Sequence, residues 1–209
     1  MDSYLTIAGP GESVFEEKRS KFLTHVIPVQ TAEEAAAFID AQKSKYWDAR
    51  HNVYAYRLRD GSQRFSDDGE PQGTAGMPTL DVLQKSGVTD VCLVTTRYFG
   101  GILLGAGGLV RAYSHSATLG LKAAGIITML PCKTAVFQCD YPFYGRVPSL
   151  LAKWDARPQE TTFTDKVTVP LELPETAVSG LSEELSSLSS GKIQLQVTGA
   201  CYRQVPLAE

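Results

Sequence analysis

The run from Val91 to Arg111 constrains the fold most. The apolar and β-branched stretch Val91-Cys92-Leu93-Val94-Thr95-Thr96 leads through Arg97-Tyr98-Phe99 into Gly100-Gly101, then Ile102-Leu103-Leu104 and Gly105-Ala106-Gly107-Gly108, and on into a helical pattern. A short continuous apolar run bounded by turn residues reads as a buried strand. Glycine lets the main chain take positive φ and come close to a bound group, and the first turn of the following helix offers unpaired N–H donors and the positive end of its dipole. The passage therefore has the chemistry of an anion cradle, shaped by Gly100, Gly101, Gly105, Gly107 and Gly108 and flanked by Arg97 and Arg111. The same glycines also suit a connection that does no more than pack a helix against its sheet.

The chain has 209 residues, 43% hydrophobic and 21% charged, enough for one large domain or two small ones. Its formal net charge of -3 argues against wholesale coating of nucleic acid but leaves room for a local basic patch. No apolar run approaches the roughly 20 residues that span a bilayer, and Met1-Asp2-Ser3-Tyr4 has no basic segment leading into an apolar one. No membrane partner and a cytoplasmic location are the expectations. Cys92, Cys132, Cys139 and Cys201 form no CxxC pair and read as reduced packing residues.

Two halves follow from the patterning. Phe15 to Val29 reads as strand interrupted at Lys18-Arg19-Ser20-Lys21, and Thr31 with Glu34 forms a capping box for a helix burying Ala35, Phe38 and Ile39. A strand over Asn52–Leu58, a polar loop over Asp60–Gly76, and a short helix carrying Pro78, Leu80 and Leu83 come next. The helix after the glycines runs from about Gly108 to Ala124, with Gly125 placed to end it. Beyond Cys132 the pattern is strand (Ala135–Cys139), helix (Val147, Leu150, Leu151, Trp154), a hairpin through Phe163 and Val167-x-Val169-x-Leu171, a second helix (Val178, Leu181, Leu185, Leu188) and a last strand through Ile193, Leu195 and Val197. Pro170 favours an edge position for its strand. This βαββαβ order is that of a ferredoxin-like unit.

Several long ordered motifs carry a family resemblance: Lys18-Arg19-Ser20-Lys21-Phe22, Asp48-Ala49-Arg50-His51, Ser66-Asp67-Asp68-Gly69-Glu70-Pro71-Gln72-Gly73-Thr74-Ala75-Gly76, and Thr96-Arg97-Tyr98-Phe99-Gly100-Gly101 through Gly105-Ala106-Gly107-Gly108-Leu109. On these the chain resembles the Impact/YigZ family (UPF0029) over essentially its whole length. The resemblance implies an α+β protein of two domains: an N-terminal Impact-type domain of the ribosomal-protein-S5 domain-2-like superfold over 1–131, and a ferredoxin-like domain over 132–209. It also implies a left-handed βαβ crossover, against the usual right-handed rule. Eukaryotic members carry an additional N-terminal domain and regulate translation through protein contacts in the amino-acid starvation response.

Both implied folds recur in ribosomal proteins and translation factors, so a nonenzymatic, translation-linked factor binding structured RNA or the ribosome is the leading expectation. Lys18, Arg19, Lys21, Arg50, Arg97 and Arg111 would supply phosphate contacts, and Tyr54, Tyr98 and Phe99 would stack bases. In the plainer alternative the arginines pair with Asp67, Asp68 and Glu70 and hold the acidic loop onto the sheet. A protein partner engaged by the C-terminal half is a second alternative. A third is a phosphoryl-handling enzyme in which Asp67, Asp68 and Glu70 coordinate Mg²⁺ and His51 acts as acid or base. Against it, the chain lacks GxxxxGK[ST]. No cofactor is otherwise expected, and His115 reads as a packing or helix-surface residue.

Overall fold

The computed structural model describes residues 1–207. The chain divides into two compact α+β units, one formed by Tyr4–Thr128 with Pro206 and Leu207, the other by Met1–Ser3 with Met129–Val205. No helix of the described residues is long and apolar enough to cross a membrane.

In the first unit, β1 (Tyr4–Ile7) is followed by the hairpin of β2 (Gly11–Glu17) and β3 (Ser20–Pro28). The chain continues through α1 (Ala32–Lys45), β4 (His51–Arg57), β5 (Gln63–Ser66), α2 (Gly76–Lys85), β6 (Val91–Tyr98) and α3 (Ala106–Ala124). A five-stranded sheet has the order β2-β3-β6-β4-β5 with every neighbouring pair antiparallel. β6 is central, and both of its faces are covered, which is why its sequence is continuously apolar rather than alternating. Val91 and Leu93 pack in a cluster with Leu80 and Leu83 of α2 and Ala117 and Leu121 of α3. Cys92 and Val94 pack instead with Ala35 and Ile39 of α1. Burial pushes the Cys92 thiol up to about 12, as befits an inert packing residue, and all four cysteines are free.

Thr31 caps α1, its hydroxyl accepting the Glu34 N–H at 3.2 Å. The Glu34 carboxylate reaches back to the Gln30 N–H at 2.7 Å, one residue beyond the expected box partner, the Thr31 N–H. α3 begins two residues earlier than its sequence pattern suggests and ends where Gly125 donates its N–H to the Leu121 carbonyl. The segment expected to be a polar loop contains β5, which pairs with β4 through Tyr54–Arg57. Gln63 and Arg64 on this edge strand are exposed and polar, so no apolar alternation marks it.

The second unit is built from β7 (Ile126–Cys139), α4 (Tyr141–Tyr144), α5 (Val147–Lys153), β8 (Arg157–Pro158), β9 (Thr162–Phe163), β10 (Val167–Pro174), α6 (Val178–Leu188) and β11 (Gln196–Pro206). Its core joins Phe137, Val169, Leu171 and Leu173 of the sheet to Leu150, Leu151, Leu181 and Leu185 of the helices. The expected edge position of Pro170 is not what is found: β10 pairs with β7 on one side and with β8 and β9 on the other. Within a strand, a residue's N and C=O face the same neighbour. The Pro170 carbonyl accepts the Gln159 N–H at 2.8 Å, so its nitrogen faces the break between β8 and β9, where no ladder donor is needed. The last strand also lies later than expected. Ile193 is buried in the core ahead of it, and β11 itself is mostly exposed over its first half.

His25 on β3 is buried, with Nδ1 3.2 Å from the Glu12 carboxylate and Nε2 2.9 Å from the Tyr46 hydroxyl. Burial holds its pKa below the ordinary 6.5, with Lys45 acting in the same direction and Glu12 opposing. The folded state thus takes up this proton less readily than the unfolded chain, and the stability tied to neutral His25 is present above pH 6.5 and lost as pH falls through the lower folded value. Thermal melts between pH 7 and 5 should show a smaller loss of Tm on acidification in His25→Gln than in the wild type; equal losses would remove His25 from the acid response.

Candidate functional site

The central row of the sheet sets the site. Phe22 on β3, Arg97 on β6 and His51 on β4 are direct cross-strand neighbours, so their side chains share the face that carries α2 and α3. Arg97 is 5% exposed. Its guanidinium lies 5.6 Å from the ring centroids of both Phe22 and Phe99, a packing suited to a weakly hydrated planar cation. Nη1 donates to Glu70 Oε1 at 2.7 Å, and the Tyr113 hydroxyl of α3 donates to the same oxygen at 2.8 Å. Burial, reinforced by the Glu70 carboxylate, pushes the Tyr113 phenol well above its usual range, so it stays a donor.

Each acidic residue of the loop has a structural task. Asp67 accepts the N–H groups of Gly73, Ala75 and Gly76 at 2.8, 3.0 and 2.8 Å, capping the start of α2 from outside the helix. Asp68 takes Lys43 Nζ at 2.8 Å and the Asn52 N–H at 2.6 Å. The Asp68 carbonyl lies 2.8 Å from His51 Nδ1, so this ring nitrogen is the donor and Nε2 is turned toward Glu70 Oε2, 3.9 Å away. Among the described residues no group of three or more His, Cys, Asp or Glu is arranged to hold a metal ion.

The basic hairpin is tied to the glycine passage. Lys18 and Arg19 both take positive φ, 48° and 66°, in the tight turn between β2 and β3, as a type I′ geometry demands. Ser20 Oγ at its exit accepts the Gly100 N–H at 3.2 Å and Arg97 Nη2 at 3.3 Å. A Cβ on Gly100 would sit 2.0 Å from the Arg19 carbonyl carbon, so only glycine allows the two backbones to meet there. Gly105 begins α3 at φ 72°, with no side chain capping the helix and no acidic residue in its first turn.

Two neighbouring concavities result, with Leu104 in the wall of both. The first, of about 420 Å³, is lined by Arg50, His51, Glu70, Arg97 and Phe99 together with the start of α3 at Gly105 and Ala106. The second, of about 400 Å³, holds Lys18, Gly108, Arg111 and His115. His115 packs edge-on against Phe15, with centroids 4.7 Å apart. Lys18, Arg19, Lys21, Arg50 and Arg111 are exposed, and among the described residues no carboxylate pairs with any of them. Gly101 and Gly107 are exposed in the same passage. Tyr54 and Tyr98 stand elsewhere. In register with Val94, Tyr54 faces the α1 side and lies near Lys43, and the Tyr98 hydroxyl donates to Asp48 at 2.9 Å. Only Phe99 of the three aromatics lines the concavity.

The Impact N-terminal domain model matches residues 18–121, and a domain of unknown function, DUF1949, matches 137–192. IMPACT family member YvyE of Bacillus subtilis (strain 168) is 36% identical over 198 residues, which cover 94% of this chain and 91% of the relative. The chain belongs to the Impact family. IMPACT family member YigZ of Escherichia coli (strain K12) is 37% identical over 199 residues, 93% of this chain and 98% of the relative. A solved structure described as that of a hypothetical protein is similar at 35% identity and TM-score 0.60, covering 95% of this chain and 98% of its own. The Impact N-terminal match takes in the whole of both concavities except Phe15 and Glu17.

Tyr113 belongs to the site without any sequence motif to announce it, and Ser20 lies within the Lys18–Phe22 motif with nothing there to mark its contacts to Gly100 and Arg97. Tyr113 falls on the buried stripe of α3 with Leu109 and Ala117, and a buried tyrosine hydroxyl needs a partner, which here is Glu70. Removing Glu70 while keeping Arg97 leaves a charge buried without compensation. Denaturant unfolding of Glu70→Ala should show a loss of about 3–5 kcal/mol, and the double variant Glu70→Ala/Arg97→Met should recover much of it. No recovery in the double variant would mean that the pair is not the source of the loss.

Proposed function

We propose that this Impact-family protein is a translation-linked factor that acts by binding phosphate-rich structured RNA, on the ribosome or free, through the Arg/Gly surface of its first unit. The observation that carries the reading is the contrast between two sets of cations. Arg97 and Lys43 are neutralised by Glu70 and Asp68. Arg50 in the first concavity and Lys18 and Arg111 in the second are exposed beside the uncapped start of α3, and among the described residues no carboxylate pairs with them; Arg19 and Lys21 are exposed as well, with Lys21 in register with Tyr98 on the α1 side of the sheet. Such cations supply phosphate contacts, and an open helix N-terminus adds backbone donors that point at an anion.

The placement of Arg97 refines the expected contact set. It positions the acidic loop and orients Phe99, and the exposed cations meet solvent. The spatial order β11-β7-β10, with β8 and β9 beyond, is the 4-1-3-2 order of a ferredoxin-like sheet, which supports that assignment for the second unit. The S5 domain-2-like assignment of the first unit rests on the family resemblance together with its five-stranded antiparallel sheet. Both are folds that serve many functions, so the cation surface and not the fold carries the functional reading.

Affinity for a structured RNA measured across a salt series should fall log-linearly with salt. Arg50→Ala/Arg111→Ala should bind more weakly and reduce the magnitude of that slope by about 1.4, for two contacts at about 0.7 each to single-stranded segments. An unchanged slope would move the phosphate contacts off these two residues.

A further inference from the structure

The first concavity contains an acceptor that the protein leaves unanswered. Glu70 Oε1 takes both donors, Arg97 Nη1 and the Tyr113 hydroxyl, whereas among the described residues none donates a hydrogen bond to Oε2. The Glu70 side chain is only 3% exposed. Its nearest partner for Oε2 is His51 Nε2 at 3.9 Å, beyond hydrogen-bond reach and wide enough for an intervening polar atom. Arg97 Nε is also buried, with no partner among the described residues. A nearly enclosed carboxylate with one oxygen open toward a cavity is costly unless something donates to it.

The surroundings narrow the donor. The same concavity carries the uncapped start of α3 at Gly105 and Ala106, suited to an anion, and an apolar wall of Phe99, Leu103 and Leu104. Glu70 is already neutralised by Arg97, so its presence does not repel an anion seated nearby. A ligand that matches has a phosphate, a flat apolar face and, between them, a hydroxyl. The volume of about 420 Å³ lies in the range of sites for single small ligands.

Resting on the RNA-binding reading above, the geometry points to the first concavity as a seat for one ribonucleotide whose 2′-hydroxyl is read by Glu70. The hydroxyl donates to Glu70 Oε2. The adjoining phosphate meets the N–H groups at the start of α3, and the base lies on Phe99 and Leu103. A carboxylate taking ribose hydroxyls beside a helix-bound phosphate is a recurrent solution in nucleotide sites. The 2′-hydroxyl is the group that separates RNA from DNA at a given position.

The test is direct binding of the full-length protein to single-stranded oligonucleotides of one sequence, made with ribose, deoxyribose, 2′-O-methyl-ribose or 2′-fluoro-ribose. The expected result is about tenfold or greater preference for the ribose strand, the value of one hydrogen bond to a charged group. The 2′-fluoro strand keeps the ribose-like sugar pucker but donates nothing, so it should bind as weakly as the deoxy strand. Glu70→Gln, which keeps one oxygen for Arg97 and Tyr113 but turns an amide donor toward the cavity, should bring the ribose strand down to the level of the deoxy strand. Equal binding of all four strands by the wild type, with normal salt dependence, would overturn this inference and leave the RNA-binding reading intact. Tight binding of the 2′-fluoro strand would overturn it in favour of pucker selection. No binding of any strand would overturn this inference, and no binding of a structured RNA in the salt series would overturn the reading it rests on.

Discussion

The buried pair of Arg97 and Glu70 is the interaction on which the site's geometry depends. Arg97 comes from the central strand of the sheet and Glu70 from a loop that no regular element holds in place. Their contact at 2.7 Å, with Tyr113 on the same oxygen, fastens that loop between sheet and helix. A buried ion pair is weak evidence of net stability, since desolvation offsets much of its attraction. What it supplies here is position. With Glu70 fixed, Gly69 and Pro71 form part of the concavity wall, and the Asp68 carbonyl is held where it sets the tautomer of His51.

A division of labour among like residues follows. Asp67, Asp68 and Glu70 look interchangeable as a cluster of carboxylates, yet one caps a helix, one binds a lysine and a backbone N–H, and one neutralises an arginine. The cations separate in the same way into an inner pair that holds the loop and an outer set that faces solvent. The strained turn at Lys18 and Arg19 belongs to the outer set. Two non-glycine residues with positive φ are retained where Ser20 and Gly100 lock the turn against the end of β6.

Much of this architecture is legible in the amino-acid order. The continuous run Val91–Thr96 announces a strand buried on both faces, the Thr31 cap starts α1, and the glycines bracket α3 at both ends. The motifs around Asp67 and Gly105 identify the family. What is illegible has physical causes. β5 is a polar edge strand and so carries no apolar alternation. Pro170 looks like an edge signal, but the break between two short partner strands removes the need for its N–H. Tyr54, Tyr98 and Phe99 are alike in composition, and only strand register decides which face each takes. Arg97 and Arg111 flank the same glycines in sequence, and burial, a property of the assembled sheet, makes one a structural cation and leaves the other free.

We propose above that phosphate meets this protein at the first turn of α3 and the cations around it. Backbone amide NMR during titration with a short structured RNA tests it most directly. The largest shift changes are expected at Ala106, Gly107 and Gly108, with smaller ones at Lys18 and Arg19 in the adjoining turn. Saturable binding with changes confined to the second unit, and none at these amides, would contradict it.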